Sequence, residues 1–379
     1  MKILLAGEYS SLHNQLKEGL QALGHEVHII STGDYFKNYP SDFDVKPRFS
    51  YHPLVQLLRK GLYRLTHTDL ATYETAFRIK KFIPHLKNYD IVQLINIYPF
   101  ETPLKIEISI LEKLFKQNEK SFVLACGDDY ITNKYYLSEP MKYNIFTPLK
   151  NQPGLKKHYR YSLKYVTPPF QKLHQFVEQN VRAFIPTDLD YAIPYRNYNK
   201  SAPMIPNPVN TDKIQYDFLS LDDKIVIFHG INTWNYIKKG NRFFSEALGI
   251  IREKFADRVE IIETKDLPYT SYMEAVKKAH ILLDQVYSYD QGYNALNAMA
   301  MGKVVFTGAE KEFTDYYKLD KKVCINALPD TDYLVDQLSR LIENRELLRE
   351  ISQNARNFIE QEHHYMKIAK KYLTTWKGF

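Results

Sequence analysis

Apolar residues along the chain recur with two spacings, and the alternation between the two predicts strands and helices. Leu12, Leu16, Leu20 and Leu23 recur at helical spacing, and the short apolar runs on either side of them are typical of buried strands. A strand, a helix and a second strand in this order predict a βαβ unit with a parallel sheet and a right-handed crossover. The elements predicted in the first half are strands at residues 2–6, 25–31, 90–96, 121–126 and 183–186 and helices at residues 12–23 and 104–116.

A proline-rich segment interrupts the alternation at residues 201–210. Three prolines fall within six residues there, and proline neither continues a helix nor fills a central strand. We interpret the segment as a linker between two domains, because the strand and helix pattern starts again after it. The elements predicted after the linker are strands at residues 224–229, 259–263 and 280–284, a loop, helix and strand within residues 288–308, and helices at residues 241–254, 271–278, 332–342, 346–361 and 364–376.

This layout predicts the α/β class, with two Rossmann-like domains in series. A chain of 379 residues is too long for one ordinary hydrophobic core. The first domain is expected to span residues 1–204 and the second residues 205–362, while residues 363–379 form a helix that could cross back to the first domain. Ligands of such sheets bind outside the carboxyl ends of the strands, so the site is expected in the cleft between the domains.

The net charge of +7 favours anionic partners such as nucleotides or an anionic lipid surface. Two basic stretches, residues 54–65 and 156–165, carry apolar or aromatic residues and could lie on an anionic membrane. The alternative for each is a solvated helix face with ordinary lysines. The first stretch belongs to an insertion between Phe36 and Tyr89 that does not fit a simple βα rhythm. Nucleic acid is not an expected partner, because the chain has no recognisable binding motif.

The cysteines and the N-terminus predict a cytoplasmic protein. Cys126 and Cys324 are too few for a disulfide framework and are expected to be reduced thiols. No apolar run approaches the roughly 18 residues of a membrane span. The N-terminal apolar run turns polar after six residues, which is too soon for a signal peptide. A peripheral position on the inner face of the plasma membrane stays open.

Two loops of the first half are candidate ligand sites. The loop that contains Gly7 and Glu8 lacks the G-x-G-x-x-G fingerprint, which disfavours a nicotinamide enzyme. It still lies where a strand passes to a helix N-terminus, a place that favours anions, although a plain turn explains it equally well. Asp128 and Asp129 end a strand on the expected cleft side. They could bind a metal, act as a base or accept sugar hydroxyls, and the alternative is a helix cap or a turn.

A loop of the second half supplies candidate phosphate ligands. The strand that ends at His229 is followed by a loop that brings Lys239 and then Arg242 to the start of a helix. Lysines at such a junction can neutralise a pyrophosphate leaving group as point charges. The alternative is a surface loop with solvated lysines, and the position at a strand end favours the binding site.

The stretch from Ser288 to Gly308 combines a turn-like start, a helix of small residues and an apolar strand. Gly292 allows a flexible turn, and Asn294 is a good helix N-cap with Asn297 three positions later. Ala295 and its apolar neighbours let the helix pack closely on the sheet. The helix N-terminus would present free N–H groups and a positive dipole end to the cleft, which suits a phosphate or a sugar hydroxyl. Ordinary packing with an asparagine cap is the alternative.

These residues resemble a known family. Residues 297–305, Asn-Ala-Met-Ala-Met-Gly-Lys-Val-Val, resemble the E-A-M-A-x-G-K-P-V-V motif of GT-B glycosyltransferases, especially the retaining glycosyltransferase family 4. Residues 205–214 resemble the I-P-N-G-V-D-x-x-x-F hinge of that family, and Lys239 with the following glycine resembles the K-G after the first donor-domain strand. Residues 284–289 and 293–296 resemble a variant of the motif found in a divergent bacterial subgroup, which implies an active enzyme.

The sequence departs from the family at its charged positions. Tyr289 stands where the family has the Glu near the transferred sugar, and Asn297 stands where the family has the Glu on the donor ribose. Asparagine can still hydrogen-bond a ribose hydroxyl, whereas tyrosine cannot supply a full negative charge. Asp284 or Asp290 could replace that charge. Gly127-Asp128 or Asp128-Asp129 stands in place of the family's H-D pair, and Lys238 or Arg242 could replace its arginine before K-G.

The resemblance implies a GT-B enzyme that is hexosyltransferase-like. It would transfer a sugar from a nucleotide-diphosphate sugar to a saccharide or lipid-linked acceptor in the synthesis of bacterial capsule, other surface polysaccharide or glycolipid, with retention as the expected outcome. The only small molecule expected besides the acceptor is the donor, and no metal is required if lysines and a helix dipole stabilise the diphosphate. The candidates are Asp128, Asp129, Tyr289 and Asp290 for catalysis and Gly7, Glu8, His229, Lys239, Arg242, Gly292, Tyr293, Asn294, Ala295 and Asn297 for the donor.

Two other functions fit the same features. The missing pair of glutamates favours a GT-B protein that binds nucleotide sugars without catalysis, as a scaffold in an assembly complex. A sugar-nucleotide epimerase with the same fold is the third hypothesis, and it would release free nucleotide without any acceptor.

Overall fold

The computed structural model describes residues 1–34, 37–66, 68–139, 141–221 and 223–379. Its strands form two sheets in which all the pairs are parallel. The first sheet contains β1 Lys2–Ala6, β2 Glu26–Ser31, β3 Phe43–Asp44, β4 Ile91–Leu94, β5 Lys120–Ala125 and β6 Phe184–Pro186 in the order β3-β2-β1-β4-β5-β6. The second contains β7 Ile225–Ile231, β8 Val259–Lys265, β9 Ile281–Leu283, β10 Val304–Thr307 and β11 Ile325–Asn326 in the order β11-β10-β9-β7-β8.

Helices connect the strands and cover both faces of the sheets. The α-helices of the first half are α1 Leu12–Ala22, α2 Pro53–Thr66, α3 Leu70–Phe82, α4 Leu104–Lys116, α5 Tyr130–Ser138, α6 Thr147–Asn151, α7 Arg160–Leu163, α8 Pro168–Asn180 and α9 Leu189–Tyr195. Those of the second half are α10 Asn241–Lys254, α11 Tyr269–Lys278, α12 Tyr293–Ala300, α13 Lys311–Tyr317, α14 Thr331–Glu343, α15 Arg345–Phe358 and α16 Tyr365–Gly378. None of the helices in the described ranges is long and apolar enough to span a membrane.

The predicted α/β class is confirmed, and each predicted strand lies within two residues of its observed bounds. The reason is the double-sided burial of the parallel strands, which makes each one a short apolar run. In β1, Leu4 packs into the core on one face of the sheet, and Ile3 and Leu5 pack into the core on the other face. The two-residue edge strands β3 and β11 lack such a signature and are not among the predicted strands. The predicted helices also omit α3, α5 to α9 and α13.

The C-terminal helix α16 packs on the first domain. The chain leaves the second domain through a π-helical turn at Ile359–His363, and α16 then lies against α1. Trp376 is fully buried among side chains of the first sheet, where its ring packs near Phe122. Its Nε1 donates a hydrogen bond to Oε1 of Gln93 at 3.0 Å. The end of the chain therefore completes the core of the half in which the chain begins.

A loop of the first half packs into the core of the second half. Tyr143, between α5 and α6, is 3% exposed and belongs to the core of the second sheet. Its ring packs against Tyr289 with centroids 5.6 Å apart, and its hydroxyl donates to Glu310. Lys142 adds an ion pair with the same carboxylate at 3.1 Å. These contacts hold the two halves together at one side of the cleft.

The insertion after β2 forms β3, α2 and α3, although Phe36, the residue with which it was predicted to begin, lies outside the described residues. The second basic stretch, residues 156–165, is not an open surface along its length. Tyr159 and Tyr165 are buried in two cores, and the Lys164 ammonium lies 3.7 Å from the centre of the Tyr161 ring. The basic residues 156–158 and 160 are exposed, but of the two stretches only the one in α2 exposes large apolar side chains together with its basic ones.

Candidate functional site

The carboxyl ends of both sheets open onto a cleft between the two halves, as expected for parallel sheets. A pocket of about 310 Å³ lies there and is lined by both halves of the chain. Sites for small molecules in proteins have volumes of roughly 300–1,000 Å³, so this volume lies at the lower end of the range. The polar side chains of its lining include Asp128, Asn133 and Asp190 from the first half and Lys238, Lys239 and Gln285 from the second.

Asp128 is a predicted residue that lines the pocket. It follows β5 and accepts hydrogen bonds from Asn133 Nδ2 and Ser162 Oγ, both at 2.8 Å. The Lys238 ammonium crosses from the second half and donates to the same Ser162 Oγ at 2.7 Å. Burial lowers the pKa of Lys238 below its ordinary value. This chain of hydrogen bonds joins a carboxylate of one half to a lysine of the other across the cleft.

Lys239 also lines the pocket, and it is paired. Its ammonium lies 2.8 Å from Oδ1 of Asp284, whose side chain is almost completely buried at the end of β9. His229 lies in β7 and is fully buried. Its Nε2 forms a hydrogen bond with Oδ1 of Asn241 at 2.9 Å. Burial lowers its pKa, so the imidazole is neutral. The positively charged Lys239 therefore lines the pocket. His229 instead supports the start of α10, which follows the loop that carries Lys239.

Asp129 and Arg242 lie away from the pocket lining. Asp129 is buried and caps α5 by accepting from Thr132 N at 2.7 Å, with a second bond from the Tyr195 hydroxyl at 3.1 Å. Burial raises its pKa to about 6. Arg242 is exposed on α10, 3.7 Å from Glu246 in the next turn. The cap explains Asp129 without any ligand, and the role predicted for Arg242 stays a prediction.

Tyr289 and Asp290 are held by contacts with the first half. The Tyr289 hydroxyl accepts a hydrogen bond from Lys142 N at 3.1 Å. The backbone N–H of Tyr289 donates to Asp190 Oδ1 at 2.9 Å. Asp290 accepts from Leu189 N at 3.0 Å and is 2% exposed. Burial raises the pKa of both Asp190 and Asp290. These hydrogen bonds fix the conformation of the loop that contains Tyr289 and Asp290. Asp190 also lines the pocket.

The helix α12 begins one residue earlier than the predicted cap. Gly292 is its N-cap and Tyr293 its first residue, whereas Asn294 is exposed in the first turn. The prediction that Asn294 caps the helix is wrong, because the chain enters the helix at Gly292 in an extended conformation. Ala295 is fully buried against the sheet, as expected for close packing, and Asn297 is half-buried one turn into the helix.

The first residue of α12 touches the first half of the chain. The Tyr293 hydroxyl donates to the carbonyl of Pro208 at 2.8 Å, and its ring packs against the same core as Tyr9. Tyr293 also interacts electrostatically with Glu8, so the N-terminus of α12 lies near the loop that contains Gly7 and Glu8. A Cβ added at Gly292 would point into open space, so the helix start can be approached.

Gly7 and Glu8 form a tight loop after β1. Gly7 has a φ of +86°, and a Cβ there would lie 2.3 Å from the Ile95 side chain, so glycine is required. Glu8 is 3% exposed and accepts from Asn14 N at 2.9 Å and from Asn14 Nδ2 at 2.6 Å. Its second oxygen has no partner among the described residues. Burial raises the pKa of Glu8 to about 8, so the carboxyl is largely protonated at neutral pH.

This shift makes stability depend on pH. The ordinary pKa of Glu8 is 4.5, so the folded state binds the proton more tightly than the unfolded state. The free energy of unfolding contributed by Glu8 is present below pH 4.5 and falls as the pH rises towards 8. We expect Glu8→Gln to remove this decline, so that its melting temperature exceeds that of the parent by roughly 5 °C at pH 8 and matches it near pH 4.5. Calorimetry against pH measures the difference.

Glu26→Gln is the matched control, because Glu26 has an exposed side chain at the start of β2. Its melting temperature is expected to follow that of the parent across the same pH range. A Glu8→Gln protein that shows no gain at pH 8 would mean that Glu8 ionises normally in the fold.

The second half of the chain also resembles known proteins. Residues 240–374, which cover the helices α10 to α16 with only short ends missing, match the family model described as "Glycosyl transferase-like". The second half carries a glycosyl transferase-like domain. No curated protein sequence matches the chain.

Solved structures support the same fold over the whole length. The sucrose-phosphate synthase of Thermosynechococcus elongatus has a TM-score of 0.62 at 14% identity, covering 100% of this chain and 99% of that chain. HepE of Anabaena, in complex with UDP and glucose, has a TM-score of 0.57 at 12% identity, with 100% of both chains covered. The UDP-GlcNAc 2-epimerase of Neisseria meningitidis, bound to UDP-GlcNAc, has a TM-score of 0.52 at 12% identity, also with 100% of both covered.

The predicted GT-B fold is therefore confirmed, and so is the resemblance to glycosyltransferases at the level of the glycosyl transferase-like domain. This domain also supports the predicted transferase class. Membership of family 4 in particular stays a prediction. The domain boundaries after residues 204 and 362 also stay predictions, although the two sheets and α16 lie on the corresponding sides of them.

The pocket of this GT-B chain contains residues that are not among the predicted site residues. Asp190 and Gln285 are two of them, and the sequence offers Lys238 only as a substitute for an arginine. Asp190 follows β6 by four residues, so the rule that ligands bind at the carboxyl ends of strands would have pointed to it. Gln285 follows β9 in the same way.

Proposed function

We propose that the protein transfers a sugar from a nucleoside-diphosphate sugar to a saccharide or lipid-linked acceptor of bacterial surface polysaccharide or glycolipid. The observation that carries this proposal is the pocket between the halves, which combines Asp128 with Lys238 and Lys239. The lysines match the negative charge of a leaving diphosphate, and a partly enclosed site strengthens such interactions. The neighbour HepE, which contains UDP and glucose in its complex, supports a nucleotide-sugar donor.

The residues of the glycosyl transferase-like domain would share the work of donor binding. Lys239 would contact the diphosphate, the N-terminus of α12 would add its dipole, and the half-buried Asn297 amide would hold the ribose. Asp128 would face the sugar from the other half. Because the buried Asp284 is already paired with Lys239, that carboxylate would act through the lysine rather than on the sugar. Retention at the anomeric carbon remains part of the proposal, and no metal is assigned to any step.

A panel of UDP-, GDP-, ADP- and CMP-sugars in a thermal-shift experiment tests the donor site. A ligand that binds the native state raises the melting temperature by mass action, and 100-fold excess over Kd is worth about 2.7 kcal/mol. We expect one nucleotide family to give a shift of several degrees and the others little. The absence of a shift with all four would remove the basis for a donor site.

A second candidate, binding without catalysis, is favoured by one observation. Tyr289 occupies the position of a family glutamate, and its hydroxyl is bonded to Lys142 N rather than presented to the pocket. With the best donor from the panel, and with lipid and saccharide acceptors present, transfer or donor hydrolysis supports the enzyme. Binding with neither reaction supports the scaffold, and release of free nucleotide without any acceptor supports an epimerase.

A further inference from the structure

The insertion after β2 exposes apolar side chains on the surface of the first half. On α2, Leu54, Leu58 and Leu65 are 80%, 71% and 85% exposed. Their spacing of four and seven residues places them on one face of the helix, with Leu57 (79% exposed) beside them. Scattered exposed leucines are normal in soluble proteins, but four on a single 14-residue helix are a continuous apolar surface.

Basic side chains border this surface. Lys60 and Arg64 are exposed on α2 at the flank of the leucines, one turn apart. On the neighbouring α3, Phe77 is 60% exposed, and the Lys81 ammonium lies 4.5 Å from the centre of its ring. We name the exposed leucines of α2 together with Lys60 and Arg64 the α2 patch. It combines apolar area with cations that can reach past it, as interfacial helices do.

The charge of the region is strongly one-sided. Residues 46–87 contain nine Lys and Arg and only two acids, an excess of seven that equals the net charge of the whole chain. Both acids are already paired within the insertion, Asp69 with Arg59 at 2.6 Å and Glu74 with Arg78 at 3.0 Å. The cations at the α2 patch are therefore not balanced by local carboxylates.

This combination selects the partner. A second copy of the chain, docked through the same patch by two-fold symmetry, would bring the positive regions of both copies together. A nucleic acid would satisfy the cations but would leave the leucines in water, because its outer surface is charged phosphate. An anionic bilayer satisfies both, since the leucines enter the boundary between headgroups and acyl chains while the cations meet the lipid charges.

We infer that the α2 patch docks the protein on an anionic membrane surface. The segment that leads to it leaves the first sheet at the carboxyl end of β3, which is the edge of the sheet that faces the cleft. Docking there would hold the cleft near the bilayer. The functional role of this docking rests on the proposed function, because a lipid-linked acceptor would be presented at the membrane surface.

Cosedimentation of the full chain with vesicles tests the inference. Vesicles of phosphatidylcholine alone are compared with vesicles that contain phosphatidylglycerol, at low and at high salt. Binding is expected to the anionic vesicles and to weaken at high salt. We expect Lys60→Glu with Arg64→Glu, and separately Leu54→Ser with Leu58→Ser, each to weaken it at least tenfold. The changed side chains are exposed, so the fold and the melting temperature should be retained.

The matched control reverses two charges elsewhere. Lys370→Glu with Lys371→Glu makes the same change in net charge on the exposed side of α16 and should bind the vesicles as the parent does. Equal loss in this control would show a general charge effect and overturn the inference. Vesicle binding by both patch variants that equals that of the parent would also overturn it. The same holds if the variants lose only a dimer seen in sedimentation, or only RNA binding, and keep vesicle binding.

The vesicle test is independent of the donor panel. A chain that binds a nucleotide sugar but no vesicle contradicts the membrane inference and leaves the transfer proposal standing. A chain that binds anionic vesicles but no nucleotide sugar contradicts the transfer proposal alone.

Discussion

The Lys239→Ala protein is expected to bind the nucleoside diphosphate that performs best in the donor panel roughly 30-fold more weakly, a loss of about 2 kcal/mol. The reason is the position of the Lys239 ammonium at the pocket, where it would meet the phosphates as a charge-assisted donor. Affinity for the corresponding free nucleoside, which has no phosphate, should stay within about twofold. Titration calorimetry with the two ligands measures both values.

Stability must be separated from binding in this experiment, because Lys239→Ala leaves the buried Asp284 without its cation. An unpaired buried charge costs about 3 kcal/mol or more, so the single variant should also melt earlier. The double variant Lys239→Ala with Asp284→Asn removes the orphaned charge and should regain stability without regaining affinity. Arg252→Ala, an exposed change in the last turn of α10, is the control. A double variant that binds the diphosphate like the parent would exclude Lys239 as a phosphate ligand.

The Trp376→Ala protein is expected to lose about 3–5 kcal/mol in the free energy of unfolding, which would be the largest loss of stability among these variants. Trp376 is fully buried, packs between Tyr372 and Phe122, and bonds Gln93. Its removal creates a cavity at the place where α16 meets the first half and leaves the Gln93 oxygen unpaired. Urea unfolding followed by circular dichroism measures the loss.

Trp376→Phe is the matched control for the ring. It keeps most of the apolar volume and removes the bond to Gln93, so its cost should lie near 1–2 kcal/mol. A cost below 1 kcal/mol for Trp376→Ala would show that α16 is not anchored on the first half in solution. The two variants together separate the packing of the helix from its hydrogen bond.

The fold was predictable because it rests on local signals. Parallel strands buried on both faces read as apolar runs, and long helices such as α4 and α10 show the helical period along their whole length. The order of the strands is different, because it depends on contacts between segments far apart in sequence. Without that order, the sequence could not show that β7 and β9 are neighbours and hence that Lys239 would meet Asp284.

The candidate site was predictable only in part for the same reason. Asp128 and Asp129 are adjacent, and the sequence does not determine which of the two caps α5 and which lines the pocket. That choice depends on the residue at which the helix begins, which is the least certain feature of a sequence pattern. Asp190 meets the loop around Tyr289 about one hundred residues later, and no local pattern contains such a contact.

The exchange of buried rings between the halves has a consequence for how this chain can change. Tyr143 of the first half lies in the core of the second, and Trp376 of the second half lies in the core of the first. Neither half is therefore a module that can be replaced by the corresponding half of another GT-B protein. A substitution in either core has to suit residues from both ends of the chain. Variation in donor or acceptor preference is thus more easily accommodated in the loops around the cleft than by recombination of whole domains.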